Sequence, residues 1–497
     1  MSSLLAIDAG TTGVTSFVVG ERGEVQGRGY AEFPQHFPRP GWVEHDGDEI
    51  VEAVLVASKT AVGAAGIDAS GLAALGIANQ RETAVLWDRE TLKPVHRAIV
   101  WQDRRTAGAC DALRDAGHTD LVRERSGLVI DAYFSGTKLA WLLDHVDGAR
   151  DAARAGKLAF GTVDSWIVAW LTGGSSHVTD PSNASRTMLF DIRENRWSDE
   201  LCDLLRVPVT LLPEVRPNAG KLGVTDPARF LGARLPITGS AGDQQAALFG
   251  QACWRAGASK NTYGTGSFVL LNTGHEAPPS ERLITTIAWN LGDGPVYALE
   301  GSIFVTGAAI QWLRDGLGII GDAAETGALA EQVTDTGDVY LVPAFTGLGA
   351  PHWDAYARGA LVGLTRGTTR AHLARAAVEA MAFQTRDVVE AMETDSGIRL
   401  AELRVDGGAA AMDLLCQFQA DLLGVPVLRP VVRETTAMGA AFLAGLGAGV
   451  WSSTGELSDA WHLERRFEPR LDSATRDRLQ SRWRDALSRS LAWAPRD

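Results

Sequence analysis

The string Asn79-Gln80-Arg81-Glu82-Thr83 sets polar side chains directly behind the apolar run Leu72 to Ala78. A guanidinium and a carboxylate that converge offer donors and acceptors to neighbouring hydroxyls. Adjacent residues on an extended strand face opposite ways, so Arg81 and Glu82 can serve one ligand only if the chain leaves strand geometry there. Further on, Gly239 to Gly250 places Asp243 between a glycine-flexed loop and a helix. Asp243 either caps that helix or accepts a hydroxyl proton as a general base during phosphoryl transfer.

Gly10-Thr11-Thr12-Gly13, Gly264-Thr265-Gly266 and Gly407-Gly408 are turns of small residues. Such turns let backbone N–H groups approach an anion closely, and threonine hydroxyls add donors. Asp8, just ahead of the first turn, supplies a carboxylate that can hold Mg²⁺ beside a phosphate. There is no Walker loop with its lysine, which excludes a P-loop enzyme. Trp101, Tyr133 and Phe268 offer aromatic edges for a small carbon chain.

The elements that must position these residues can be read from patterning. Leu4 to Asp8, the first turn and Val14 to Val19 read as strand, tight turn, strand. A helix is expected from Asp46 to about Val62, with Ile50, Val54, Ala57 and Ala61 on its buried stripe and acidic residues at its start. Leu72 to Ala78 reads as a buried strand. The alternation argues for an α/β chain. Lys260 to Asn272 repeats the strand and turn layout of Asp8 to Val19, which suggests two related domains with a boundary near Gly250 to Gly257. Leu403 to Gly408 is a strand and sharp turn feeding a helix whose Leu414, Phe418 and Leu422 are expected in a core.

Composition narrows the class. The 497 residues are 45% apolar and 22% charged, which suits large globular units. With 47 basic and 61 acidic residues, the charge of −14 repels a nucleic-acid backbone. Cys110, Cys202, Cys253 and Cys416 form no Cys-x-x-Cys pair, so a reducing compartment is expected. The N-terminal residues lack the basic head and apolar length of a signal peptide. The longest uncharged apolar run, Ala437 to Trp451, is shorter than the about 20 residues a membrane span needs. A cytoplasmic protein is expected.

The chain resembles the FGGY carbohydrate kinase family over nearly its whole length. The resemblance is carried by Asp8-x-Gly-Thr-Thr12, Pro40-Gly-Trp-Val-Glu-His-Asp46, Asn79-Gln-Arg-Glu-Thr83, Ala98-Ile-Val-Trp-Gln102, Ser135-Gly-Thr-Lys138, Asn183-Ala-Ser-Arg-Thr-Met188, Gly242 to Gly250, Tyr263-Gly-Thr-Gly266 and Pro343 to Pro351. Asn79-Gln-Arg-Glu-Thr83 is similar to the family's glycerol-binding signature and unlike the matching stretch of its xylulose- and gluconate-phosphorylating members. The resemblance implies two RNase-H-like, actin-like ATPase domains, residues 1–250 and 251–497, with a catalytic cleft between them. It implies ATP-dependent phosphorylation of glycerol to sn-glycerol 3-phosphate. Arg81, Glu82, Tyr133 and Asp243 would hold the glycerol hydroxyls, Trp101 and Phe268 would flank its carbons, Gln244 would lie nearby, and Asp243 would be the base. Thr11, Thr12, Thr265, Gly307, Gln311 and Gly408 would meet ATP, with Gly13 in the first phosphate turn and Mg²⁺ between Asp8 and Asp243. The implied partners are glycerol and ATP alone, in a homo-oligomer, dimer or tetramer.

Three departures stand out. Thr15 occupies a position where many glycerol-phosphorylating members of the family carry arginine, and Met412 one where asparagine often contacts adenine. A thioether packs on a ring but donates no hydrogen bond. Gly232-x-Arg234 only partly matches a regulatory sugar-bisphosphate loop. The same residues leave two rivals, a kinase for another small polyol or ketose and a non-catalytic actin-like ATP-binding protein.

Overall fold

The structure is a computed structural model that describes residues 2–495. Its first sheet has six strands in the order Ala219–Val224, Pro236–Gly242, Leu72–Asn79, Ser3–Ala9, Gly13–Gly20 and Val25–Glu32. Ser3–Ala9 runs parallel to Leu72–Asn79, and that strand runs parallel to Pro236–Gly242. Ser3–Ala9 and Gly13–Gly20 form the expected antiparallel hairpin. Alternation along Ser3–Ala9 sends Leu5 and Ile7 to one face and Leu4 and Ala6 to the other, and both faces are buried. The first face is covered by the helix Gly47–Ala65, whose Ile50, Val54, Ala57 and Ala61 are all buried. Asp46 caps that helix, accepting from the backbone of Asp48 at 2.9 Å.

The second sheet has seven strands in the order Ile284–Asn290, Pro295–Ile303, Ser267–Gly274, Ser259–Tyr263, Leu403–Gly407, Val427–Pro430 and Leu463–Phe467. It repeats the plan of the first. A central strand carries an antiparallel hairpin on one side and a parallel strand on the other. The weak internal echo in the sequence therefore corresponds to a repeated topology. Where the first hairpin has Asp8 two residues before its turn glycine, the second has Thr262, whose hydroxyl accepts from Lys260 Nζ at 2.7 Å.

The uncharged Ala437–Trp451 run finds its place here. The helix Thr435–Gly447 leaves the second sheet and packs on the other face of the first, where Ala440, Leu443 and Ala444 join Leu4, Ala6, Ala74 and Ala78. Its small residues allow near contact between backbones. A Cβ on Gly76 would lie 2.1 Å from the Ala440 carbonyl oxygen, and one on Gly439 would lie 1.8 Å from that of Ala246. Among the described residues no helix is long and apolar enough to cross a membrane.

Two local expectations are corrected. Gly407-Gly408 does not open a helix directly. A 3₁₀ turn, Gly408–Ala411, intervenes before the helix Asp413–Leu423, because Gly407 has φ +83° and redirects the chain. In that helix Phe418 and Leu422 are buried as expected, but Leu414 is only half-buried and Leu415 takes the core position.

Candidate functional site

The carboxyl ends of the three parallel strands of the first sheet lie side by side, with Asn79 opposite both Ala9 and Gly242. The chain segments leaving those ends therefore converge: the turn from Gly10, the segment Gln80 to Thr83, and Asp243. Strand ends of this kind are where α/β folds place ligands. Gln80 ties two of them together, its backbone donating to Ala9 O at 2.8 Å and its side chain to Gly10 O at 3.1 Å. Asp243 is not an N-cap. Gly242 caps the helix Asp243–Gly250, so Asp243 is its first residue, and its side chain stays 29% exposed.

Arg81 and Glu82 leave strand geometry as the chemistry requires, because Glu82 sits at φ +62°. Both are buried, at 2% and 1% exposure, so they are not a solvated surface pair. Arg81 Nε faces Asp243 Oδ1 at 3.1 Å and Glu82 Oε1 at 3.6 Å. Arg81 Nη2 donates to the Tyr133 hydroxyl at 3.4 Å, and the guanidinium lies 5.7 Å from the centre of the Phe268 ring. Trp101 meets Tyr133 edge-on at 5.7 Å and donates its indole N–H to Thr11 Oγ1 at 2.9 Å, joining the polar cluster to the first glycine turn. Gln244 and Gln245 divide their work. Gln245 Oε1 accepts from Arg81 at 3.1 Å, whereas Gln244 Oε1 accepts from Lys260 Nζ.

Asp8 closes the cluster at the end of its strand. Burial and then the charge of Asp243 push its carboxyl up to about 7, which places the two carboxylates within reach of one another's field.

The other turns gather at the second sheet. Tyr263 pairs with Gly407, so Gly264 and Gly408 start from neighbouring strand ends. The short helix Gly307–Gln311 docks against the second turn, with the N–H groups of Gly307 and Ala308 donating to Gly264 O and Thr265 O at 3.0 Å each. A Cβ on Gly307 would lie 2.6 Å from Gly264 O, so only glycine allows this approach. Thr12, Thr265, Gln311 and Gly408 are exposed, and a Cβ on Gly408 would meet nothing within 4 Å. Gly13 is buried, and a Cβ there would lie 2.7 Å from Ala31 O, so this glycine also serves strand packing. Met412 is half-buried beside Gly327 of the helix Glu325–Ala330.

Known proteins match this chain over nearly its whole length. The model of the FGGY family of carbohydrate kinases matches its N-terminal domain to residues 3–250 and its C-terminal domain to residues 259–448. The chain belongs to the FGGY family of carbohydrate kinases. It is 58% identical to a glycerol kinase of Dechloromonas aromatica, over 99% of this chain and 98% of that protein. To glycerol kinase 2 of Thermotoga maritima it is 56% identical over the full length of both. The crystal structure of Plasmodium falciparum glycerol kinase with ADP superposes with a TM-score of 0.92 at 34% identity, over 99% of this chain and 98% of that one.

Within this FGGY chain the structure adds residues that sequence reasoning missed. Glu300 and Arg186 complete a buried quartet with Arg81 and Glu82, and both are fully buried. Arg186 Nε donates to Glu82 Oε1 at 2.6 Å and its Nη2 to Glu300 Oε1 at 3.0 Å. Burial alone would raise the Glu300 carboxyl, but Arg186 and Arg81 hold it down at about 2. Lys138 is buried too, its Nζ donating to the carbonyls of Glu82 at 3.4 Å, Phe134 at 3.2 Å and Tyr133. The available signal was a charge inside a run of core residues, as in Tyr297-Ala-Leu-Glu300-Gly-Ser-Ile303, because a charge there requires a partner.

Proposed function

We propose that this protein transfers the γ-phosphoryl group of ATP to a terminal hydroxyl of glycerol, giving sn-glycerol 3-phosphate and ADP. The observation that carries the reading is the Arg81 Nε edge facing Asp243 Oδ1 at 3.1 Å beside Glu82, at the converging strand ends. A three-carbon polyol fits a site built from one guanidinium edge, two carboxylates, a phenol and two aromatic faces. Arg81 donates to the hydroxyl oxygens and Glu82 accepts from one of their hydrogens. Tyr133 limits the far end, while Trp101 and Phe268 flank the carbons. Asp243 orients the attacking hydroxyl and accepts its proton. A carboxylate suffices as that base because phosphoryl transfer passes through a loose transition state, with the proton moving late.

The two glycine turns and Gly408 would receive the nucleotide through backbone N–H groups and the hydroxyls of Thr11, Thr12 and Thr265, with Gln311 and Met412 at its edge. Asp8 and Asp243 fit a divalent cation, since both are hard carboxylate donors carried at neighbouring strand ends. Mg²⁺ held there would neutralise phosphate charge. Among the described residues no larger group of histidine, cysteine, aspartate and glutamate gathers for a metal, so phosphate oxygens and water would complete the shell. We further propose units of residues 1–250 and 251–497 with the Thr435–Gly447 helix returned to the first, and a cytoplasmic homo-oligomer, dimer or tetramer.

A panel of polyols and ketoses with coupled detection of ADP tests the acceptor. Glycerol should give the highest kcat/KM; preference for a pentulose would overturn the choice, and nucleotide binding without acceptor-stimulated turnover would favour a non-catalytic protein.

A further inference from the structure

The acceptor cluster includes one carboxylate carried by the second sheet. Glu300 lies on the strand Pro295–Ile303, opposite Leu270 and Ile284 of its neighbours, and reaches residues of the first unit. Arg81 Nη1 donates to Glu300 Oε2 at 2.5 Å and Nη2 to Oε1 at 3.1 Å, a two-pronged fork. The fork occupies one edge of the Arg81 guanidinium and turns the other, Nε, toward Asp243 and Glu82. Arg186 acts in parallel. It donates to Glu300 Oε1 and to Glu82 Oε1, the same Glu82 oxygen that Arg81 Nε faces at 3.6 Å, which leaves Glu82 Oε2 outside both contacts. Arg186 Nη1 is itself buried without a partner, so the quartet is not a fully satisfied structural ion pair.

We propose that Glu300 is a positioning residue of the acceptor site. By gripping Arg81 and Arg186 together it decides which guanidinium edge and which carboxylate oxygen face the substrate hydroxyls. This rests on glycerol being the acceptor. A buried ion pair contributes little net stability compared with apolar packing, so the quartet's contribution is orientation. An Arg81 freed from its fork must be ordered by the substrate at each binding event, which weakens affinity more than turnover.

The test measures steady-state kinetics of the full chain with Glu300→Gln and Glu300→Asp, together with the thermal shift produced by ADP. The glycerol KM should rise about thirtyfold for Glu300→Gln and about tenfold for Glu300→Asp, with the ATP KM within about twofold and the ADP shift retained. Glu300→Asp keeps the charge but withdraws the fork, so it carries the test should Glu300→Gln not fold. An unchanged glycerol KM in Glu300→Asp, or an equal loss in every kinetic constant, overturns the proposal. Wild-type protein that phosphorylates no glycerol refutes the acceptor reading itself, whereas active wild type with unaltered variants refutes the role of Glu300 alone.

Discussion

The two halves of the site are built on opposite principles. On the side proposed for the acceptor Arg81, Glu82, Arg186 and Glu300 are buried and interlocked, so their orientation is set by one another. On the side proposed for the nucleotide Thr12, Thr265, Gln311 and Gly408 are exposed, and the groups offered are mostly backbone amides and hydroxyls. A small neutral polyol has few handles, so its site must be preorganised. A triphosphate brings its own charge, and turns of small residues need only stay open to it. A net charge of −14 would oppose ATP at long range, so backbone dipoles and the proposed cation would have to reverse the potential locally.

Substitutions can break or sharpen this contrast. Asp243→Asn should lower kcat about a thousandfold, read by coupled ADP release, while the partly exposed side chain leaves folding intact. Near-normal turnover would remove Asp243 as the base. Arg186→Met leaves Glu82 and Glu300 short of a cation, and urea denaturation should show a loss of about 3–5 kcal/mol. A small loss would mean that the acceptor side is less locked than its geometry implies.

On the nucleotide side effects should be smaller and confined to ATP. Gly307→Ala pushes a Cβ against Gly264 O and should raise the ATP KM about tenfold with little change for glycerol. Gly408→Ala has open space and should leave the melting temperature unchanged, raising the ATP KM about threefold as the methyl group meets bound nucleotide.

Lys138 supplies a pH test of the acceptor scaffold. Burial lowers its ammonium from 10.5 to about 7, so between those values the folded state binds fewer protons than the unfolded one. Stability should therefore rise with pH across that window by at most about 1.4 kcal/mol per unit, and the penalty is fully present below about 7. Denaturation of wild type against Lys138→Met at pH 7 and pH 9 reads the difference; an equal pH slope in both would contradict it.

Much of this was legible because its signals are local. The hairpin at Asp8, the helix behind Asp46 and the strand before Asn79 come from periodicity and capping, and the need for Arg81 and Glu82 to leave strand geometry comes from alternation alone. Glu300 was legible only as a charge that needs a buried partner; the partner Arg81 lies 219 residues away, and no local pattern encodes that contact. The return of the Thr435–Gly447 helix to the first sheet is a tertiary choice of the same kind. Gln244 and Gln245 differ by one helical step of about 100°, enough to turn one toward Lys260 and the other toward Arg81.

The most direct measurement of the central claim is phosphorus NMR of the wild-type protein with ATP, Mg²⁺ and glycerol. The account predicts a phosphomonoester signal of sn-glycerol 3-phosphate growing in step with ADP. ADP accompanied only by inorganic phosphate, or no consumption of ATP, would contradict it.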